Sequence, residues 1–301
     1  MKQRVLPLAD KEKILLIVID NLRLDQYRML KPLFSQIYDI EHEEIISSIL
    51  PTATQYARNA LFAGLMPSEI EKLYPDLWLN DEEEGGKNQH EEELLANTLR
   101  RFGKEYKWFY EKIINQSHGQ KILEKASRIP EHQLSVLVYN FVDMLSHART
   151  EMDVIKELAN DEAAYRSLTI SWFEHSNLYE VLKIASEKGI KVVITTDHGS
   201  VRINNPVKVI GDRKTTTNLR YKHGRNLNYN PKEVFEVTKP KDVYLPTPHI
   251  SSKFIFAKEQ DFLAYPNNYN HYVKYYKDTF QHGGVSLEEL LIPFAVLKPK
   301  V

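Results

Sequence analysis

Three acidic residues close three apolar runs: Asp20 after ILLIVI, Asp143 after VLVYNFV and Asp197 after VVITT. One aspartate in such a place is usually a turn former or a helix cap. Three, each at the carboxyl end of its own run, would meet at one edge of a parallel sheet, where open α/β folds bind their ligands. Carboxylates gathered there repel one another unless cations neutralise them. Histidines accompany them. His147 follows Asp143 by four residues, one helical turn or a tight loop, so both can hold one ion. His198 adjoins Asp197, and His282 sits in FQHGGVSLEELLIP, beside two glycines that would let the backbone pass close to a ligand. Imidazole and carboxylate donors without sulfur suit Zn²⁺, and Mn²⁺ or Fe²⁺ would also fit, whereas Mg²⁺ and Ca²⁺ favour oxygen alone.

A hydroxyl completes the set. In PTATQ (residues 51–55), Thr52 and Thr54 lie between the run IISSIL and a helical pattern. Free N–H groups and the helix dipole favour a phosphate at such a junction. Either threonine could instead cap the helix, which is the commoner task. Beside a metal site, a coordinated hydroxyl becomes an alkoxide near neutral pH. The other eight of the eleven histidines have no acid at a strand end beside them and read as surface or packing residues, with His223 a partial exception.

The elements that must position these groups are legible as short runs rich in Ile and Val: Ile14–Asp20, Ile45–Leu50, Leu134–Asp143, Val192–Asp197, Phe254–Ala257 and Ile292–Leu297. Their length and two-sided apolarity fit buried strands of a mostly parallel sheet. Helical patterns lie between them, the clearest over Gln55–Leu65 and over Leu168–Lys188, the second ending at Gly189. The alternation predicts an α/β fold. Glu71–Glu93, with nine acids against two lysines, reads as a solvated, partly mobile loop. Arg202–Arg225 carries seven Lys/Arg against one Asp directly after a strand end, where it would overhang a site. There Arg213, Lys214, Arg220, His223 and Arg225 are candidates for gripping an anionic substrate.

Composition narrows the class. With 42% hydrophobic and 27% charged residues the chain reads as an ordinary globular protein. Forty Lys+Arg against 41 Asp+Glu give no global pull toward nucleic acid or membrane, so attraction for anions must be local. The absence of cysteine excludes a disulfide framework, a cysteine nucleophile and thiolate metal sites. The N-terminus has no signal-peptide pattern and no run is long enough to span a bilayer, so the expected address is cytoplasmic, without a membrane partner. No internal repeat is evident. The expected organisation is a single domain over 1–301 with an insert at about 202–281, cut from a longer protein.

These motifs, in this order, resemble the alkaline phosphatase superfamily from Ile14 to Pro299: ILLIVID, PTAT, FVDMLSH, TTDHG and HGGVSLEELLIP. Among its branches the chain looks like a PglZ domain, and more narrowly like the effector domain of PorX-type response regulators. The resemblance implies a three-layer α/β/α sandwich with a mostly parallel central sheet and an inserted cap. It implies a phosphodiesterase or phosphatase acting on nucleotide or short oligonucleotide esters with two zinc ions. By position, Asp143, His147 and His282 would hold one ion. Asp20, Asp197 and His198 would hold the other, with the oxygen of Thr54 as nucleophile contacting it. The context it implies is a receiver domain upstream, regulatory protein partners and room for a homodimer. A regulatory module with a structural metal, and a phosphomutase, are the competing readings. The missing cysteine weighs against a sulfatase.

Overall fold

The computed structural model describes residues 1–300 except Glu82, Asn115, 212–215 and Ile250; the side chains of Gln116, Ser117, Arg149, Asp153 and Lys156 also stay outside the description. The chain divides into two units: residues 1–47, 104–199 and 291–301 form the first, and residues 48–103 and 200–290 the second. Residues 202–281, the insert expected from the sequence, lie in the same unit as residues 48–103.

The apolar runs form the sheet of the first unit because strands covered on both faces need no polar side. Strands β1 (Ile14–Ile19), β4 (Leu134–Tyr139) and β5 (Lys191–Thr195) are buried at every position. With β2 (Tyr38–Ser47), β3 (Trp108–Ile113) and the strand Leu291–Pro299 they make six strands. Their order is β2, Leu291–Pro299, β5, β1, β4, β3. The pairs β5–β1, β1–β4 and β4–β3 are parallel, and Leu291–Pro299 runs antiparallel to both its neighbours. This is a mixed α/β fold on a mostly parallel sheet, and the core gathers Leu15, Ile17, Ile19, Tyr27, Phe34, Phe173 and Val181.

Several boundaries differ from the sequence reading. Of the run Ile45–Leu50 only residues 45–47 are strand, as the tail of β2, whose charged first half is paired to Leu291–Pro299 at the sheet edge. The long helix over Leu168–Lys188 is two, Glu162–Glu174 and Asn177–Glu187. Ser176 interrupts it by accepting the Tyr179 N–H on its hydroxyl, a local bond that competes with helix continuation. Strand β3, WFYEKI, has no counterpart among the sequence-predicted strands; its residues are mostly half-buried and mix aromatic with charged side chains.

The second unit holds the helices Thr54–Ala63 and Glu91–Arg101 and a three-stranded antiparallel sheet of Tyr221–Gly224, Lys253–Ala257 and Val234–Val237. The acidic stretch is not simply a solvated loop. Glu91 is buried and takes the Arg58 guanidinium at 2.6 Å, and Asp81 accepts both the Tyr56 and Tyr221 hydroxyls, at 2.8 and 3.1 Å.

Candidate metal centre and nucleophile

Parallel strands deliver their carboxyl ends to one edge, and β1 and β5 place Asp20 and Asp197 there side by side. Together with His198 they are almost fully buried, at 1%, 2% and 0% exposure. Their ligand atoms all lie within 4.8 Å of one another, with His198 Nε2 3.6 Å from Asp197 Oδ2 and 3.9 Å from Asp20 Oδ1. The Nδ1 of His198 sits 3.1 Å from the Gly199 carbonyl. A carbonyl only accepts, so Nδ1 carries the proton and Nε2 turns its lone pair toward the two carboxylates. Metal-binding histidines are held this way. Two buried carboxylates and one oriented imidazole fit a divalent cation, and the donor set suits zinc.

Asp143 differs from expectation. β4 ends at Tyr139, and Asp143 lies in the first turn of the helix Phe141–Glu151 rather than at a strand end. His147, one turn on, brings Nε2 within 3.5 Å of Asp143 Oδ2. Asn21 joins the two groups of ligands: its backbone N–H donates to Asp197 Oδ1 and its side-chain amide to Asp143 Oδ1, both at 3.3 Å. It does so with φ at +62°, a left-handed conformation that asparagine tolerates better than most residues. The only sequence signal for this role is an Asn directly after a strand-end Asp.

In the second unit the cap position of the helix Thr54–Ala63 is Ala53, so neither threonine is the N-cap; Thr54 is the first helical residue and half-buried. The helix is fixed by Arg58 on Glu91 and by the Gln55 amide donating to the Leu79 carbonyl at 2.7 Å. Thr52 is fully buried. Its hydroxyl accepts the Gly283 N–H and donates to the Gly284 carbonyl, both at 3.0 Å, and its own carbonyl receives His282 Nδ1 at 3.1 Å. As at His198, this leaves the Nε2 of His282 as the ligand atom. Thr52→Val should therefore lose about 1–3 kcal/mol by leaving a buried N–H and carbonyl unsatisfied, read as a lower urea midpoint.

The glycine pair makes room for protein rather than ligand. A Cβ on Gly283, whose φ is +122°, would lie 2.7 Å from the Tyr221 ring, and one on Gly284 would lie 2.7 Å from the Ala257 carbonyl. Beneath them Glu289 accepts the Gly284 N–H at 2.8 Å and the guanidinium of Arg220 at 2.6 Å. Arg220 and Glu289 are both buried, so this arginine braces the HGG segment instead of reaching for substrate. Arg220→Met strands the Glu289 carboxylate and should cost roughly 3–5 kcal/mol of stability. A substrate-binding arginine would instead raise KM at unchanged stability. His223 is likewise internal: it stacks on Phe254 at 4.2 Å, and burial, aided by nearby His249, pulls its pKa down to about 4. Arg225 is exposed, while Arg213 and Lys214 lie outside the described residues.

The sheet, and the acids and imidazole at its carboxyl edge, define an alkaline-phosphatase-like phosphoesterase fold. Among solved structures the chain is similar to murine ectonucleotide pyrophosphatase/phosphodiesterase 5, at 13% identity and a TM-score of 0.61 over 95% of this chain and 88% of that one. The human counterpart gives 14% and 0.59 over 95% and 87%. Phosphonoacetate hydrolase from Sinorhizobium meliloti 1021, solved with phosphonoformate, gives 11% and 0.51 over 95% and 90%. No curated protein matches by sequence. The model of the BREX system PglZ alkaline phosphatase-like domain matches residues 1–297, and the chain belongs to this PglZ family. Among the described residues no helix is long and apolar enough to cross a membrane.

Proposed function

We propose that this PglZ domain is a zinc-dependent phosphodiesterase that cleaves nucleotide or short oligonucleotide esters with Thr54 as nucleophile. The observation that carries the reading is the buried cluster of Asp20, Asp197 and His198 with its imidazole turned inward. In this reading Asp143, His147 and His282 are the ligands of a second ion. A structure of the murine phosphodiesterase neighbour as an inactive threonine-to-alanine variant in complex with AMP supports the choice of a threonine.

The Thr54 oxygen attacks phosphorus, and the P–O bond to the leaving alcohol breaks opposite it. Water then attacks the phospho-threonine, frees the phosphomonoester and returns the hydroxyl. Bound divalent ions supply positive charge for the phosphate oxygens and lower the pKa of the attacking hydroxyl. Asn21 holds Asp143 and Asp197 in place, and the Gly199 and Thr52 carbonyls fix the two histidine tautomers. An upstream receiver domain, regulatory protein partners and a homodimer belong to the same proposal, in line with the PorX-type resemblance.

Elemental analysis of the native protein, paired with a screen of chromogenic mono- and diesters, tests it. About two zinc equivalents are expected from a two-metal site, and faster cleavage of diesters than of monoesters from the likeness to the phosphodiesterase neighbour. Bound zinc without turnover of any ester would favour a regulatory module with a structural metal.

A further inference from the structure

The strand Tyr221–Gly224 is buried at all four positions, and its side chains alternate between two faces. Tyr221 meets the Tyr56 ring edge-on at 5.8 Å and His223 stacks on Phe254. Lys222 takes the other face, where it lines a cavity of about 500 Å³ together with Leu263, Tyr265, Tyr272 and Tyr276. That volume suits a small-molecule ligand. The lysine is 1% exposed, its Nζ lies 4.2 Å from the Tyr265 ring centroid, and it donates to the Thr216 carbonyl at 3.1 Å. Among the described residues no carboxylate pairs with it. Burial alone pulls its pKa down to about 7. A buried amine with one acceptor and, among the described residues, no counter-charge is costly for a fold to keep.

We infer that this cavity is a binding site for a small flat aromatic or heteroaromatic ring bearing an anionic group, its ring against the tyrosines and its anion on Lys222. Tyrosine faces stack on any flat ring. An anion in the cavity would give Lys222 a charge-assisted hydrogen bond and restore its proton. The anion-gripping role that sequence assigned to the basic stretch thus falls to Lys222, which was not among its candidates. This inference stands apart from the chemistry of Thr54.

Pyridoxal 5′-phosphate is a suitable probe of the free Lys222 amine: its aldehyde condenses with an amine to an imine and water, and a ligand whose anion protonates Lys222 would block that reaction. Borohydride then delivers hydride to the imine and leaves a stable secondary amine for peptide mapping. Burial lowers the Lys222 pKa to about 7, so far more of its amine is unprotonated at neutral pH than that of an ordinary exposed lysine. Labelling of Lys222 should therefore outpace that of the exposed Lys298 by more than about tenfold and should saturate with probe concentration. AMP or benzoate should slow it, whereas inorganic phosphate should not. Protection by AMP alone marks a phosphate-bearing ring and by benzoate alone a carboxylate-bearing one. Labelling no faster than at Lys298, a linear dependence on probe, or equal protection by inorganic phosphate would overturn the inference. Tyr265→Leu should weaken the saturation while leaving Lys222 in place.

Discussion

Thr54→Val is expected to lower diester turnover by at least about three orders of magnitude, the scale seen when a covalent nucleophile is removed, with zinc content and melting temperature nearly unchanged. Valine keeps the β-branched shape and deletes only the hydroxyl. Loss of a helix cap would also melt the protein earlier, by about 1 kcal/mol, but the cap here is Ala53 and Thr54 occupies the first helical position. Rate assays and melting curves on one preparation separate the outcomes. Near-native turnover by Thr54→Val would remove this residue from the mechanism. Thr52→Val is the informative companion. Its hydroxyl ties down both residues after His282, so it should lose stability first and activity only in proportion to misplaced His282.

The second large effect concerns Asp197. Wild-type protein supplied with zinc at ~1,000 times its dissociation constant should gain about 4 kcal/mol, or roughly 10 °C in Tm. Asp197→Asn should lose nearly all of that rise together with the activity. It should nevertheless melt higher than the wild type when both are stripped with chelator, because it removes one of two buried carboxylates whose oxygens lie within 4.8 Å. The amide oxygen can still accept from the N–H groups of Asn21 and His198, so the backbone has no reason to move. A zinc-dependent rise that survives in Asp197→Asn would show that this residue is not a ligand.

That Asp20 and Asp197 come together was legible in the sequence for a simple reason. Each follows an apolar run, with His198 next to the second, and parallel strands bring such ends together whatever the intervening chain does. Asp143 was found by the same rule, although it stands on a helix, since the helix begins just past β4. Arg220 was misread because exposure is the default for a cation in a charged loop, and its partner Glu289 lies far along the chain. Asn21 left only the faint signal of an Asn after a strand-end Asp, because its part depends on a backbone angle that sequence does not report. Strand β3 failed for want of contrast: half-buried positions carry no periodic signal.

The place of Leu291–Pro299 in the sheet has a consequence for synthesis. This strand comes after every other strand in the chain, yet it lies between β2 and β5, and it is the only strand hydrogen-bonded to β2 among the described residues. A ribosome therefore makes β2 early and leaves its backbone amides without a sheet partner until residue 299 has emerged. The first unit cannot close before Leu291–Pro299 emerges, and long-range pairings of this kind fold slowly. Chains stalled before Leu291 are expected to present β2 and β5 as open edges, which attract other chains and holdase chaperones. Emergence of Leu291–Pro299 should convert them from protease-sensitive to resistant in one step.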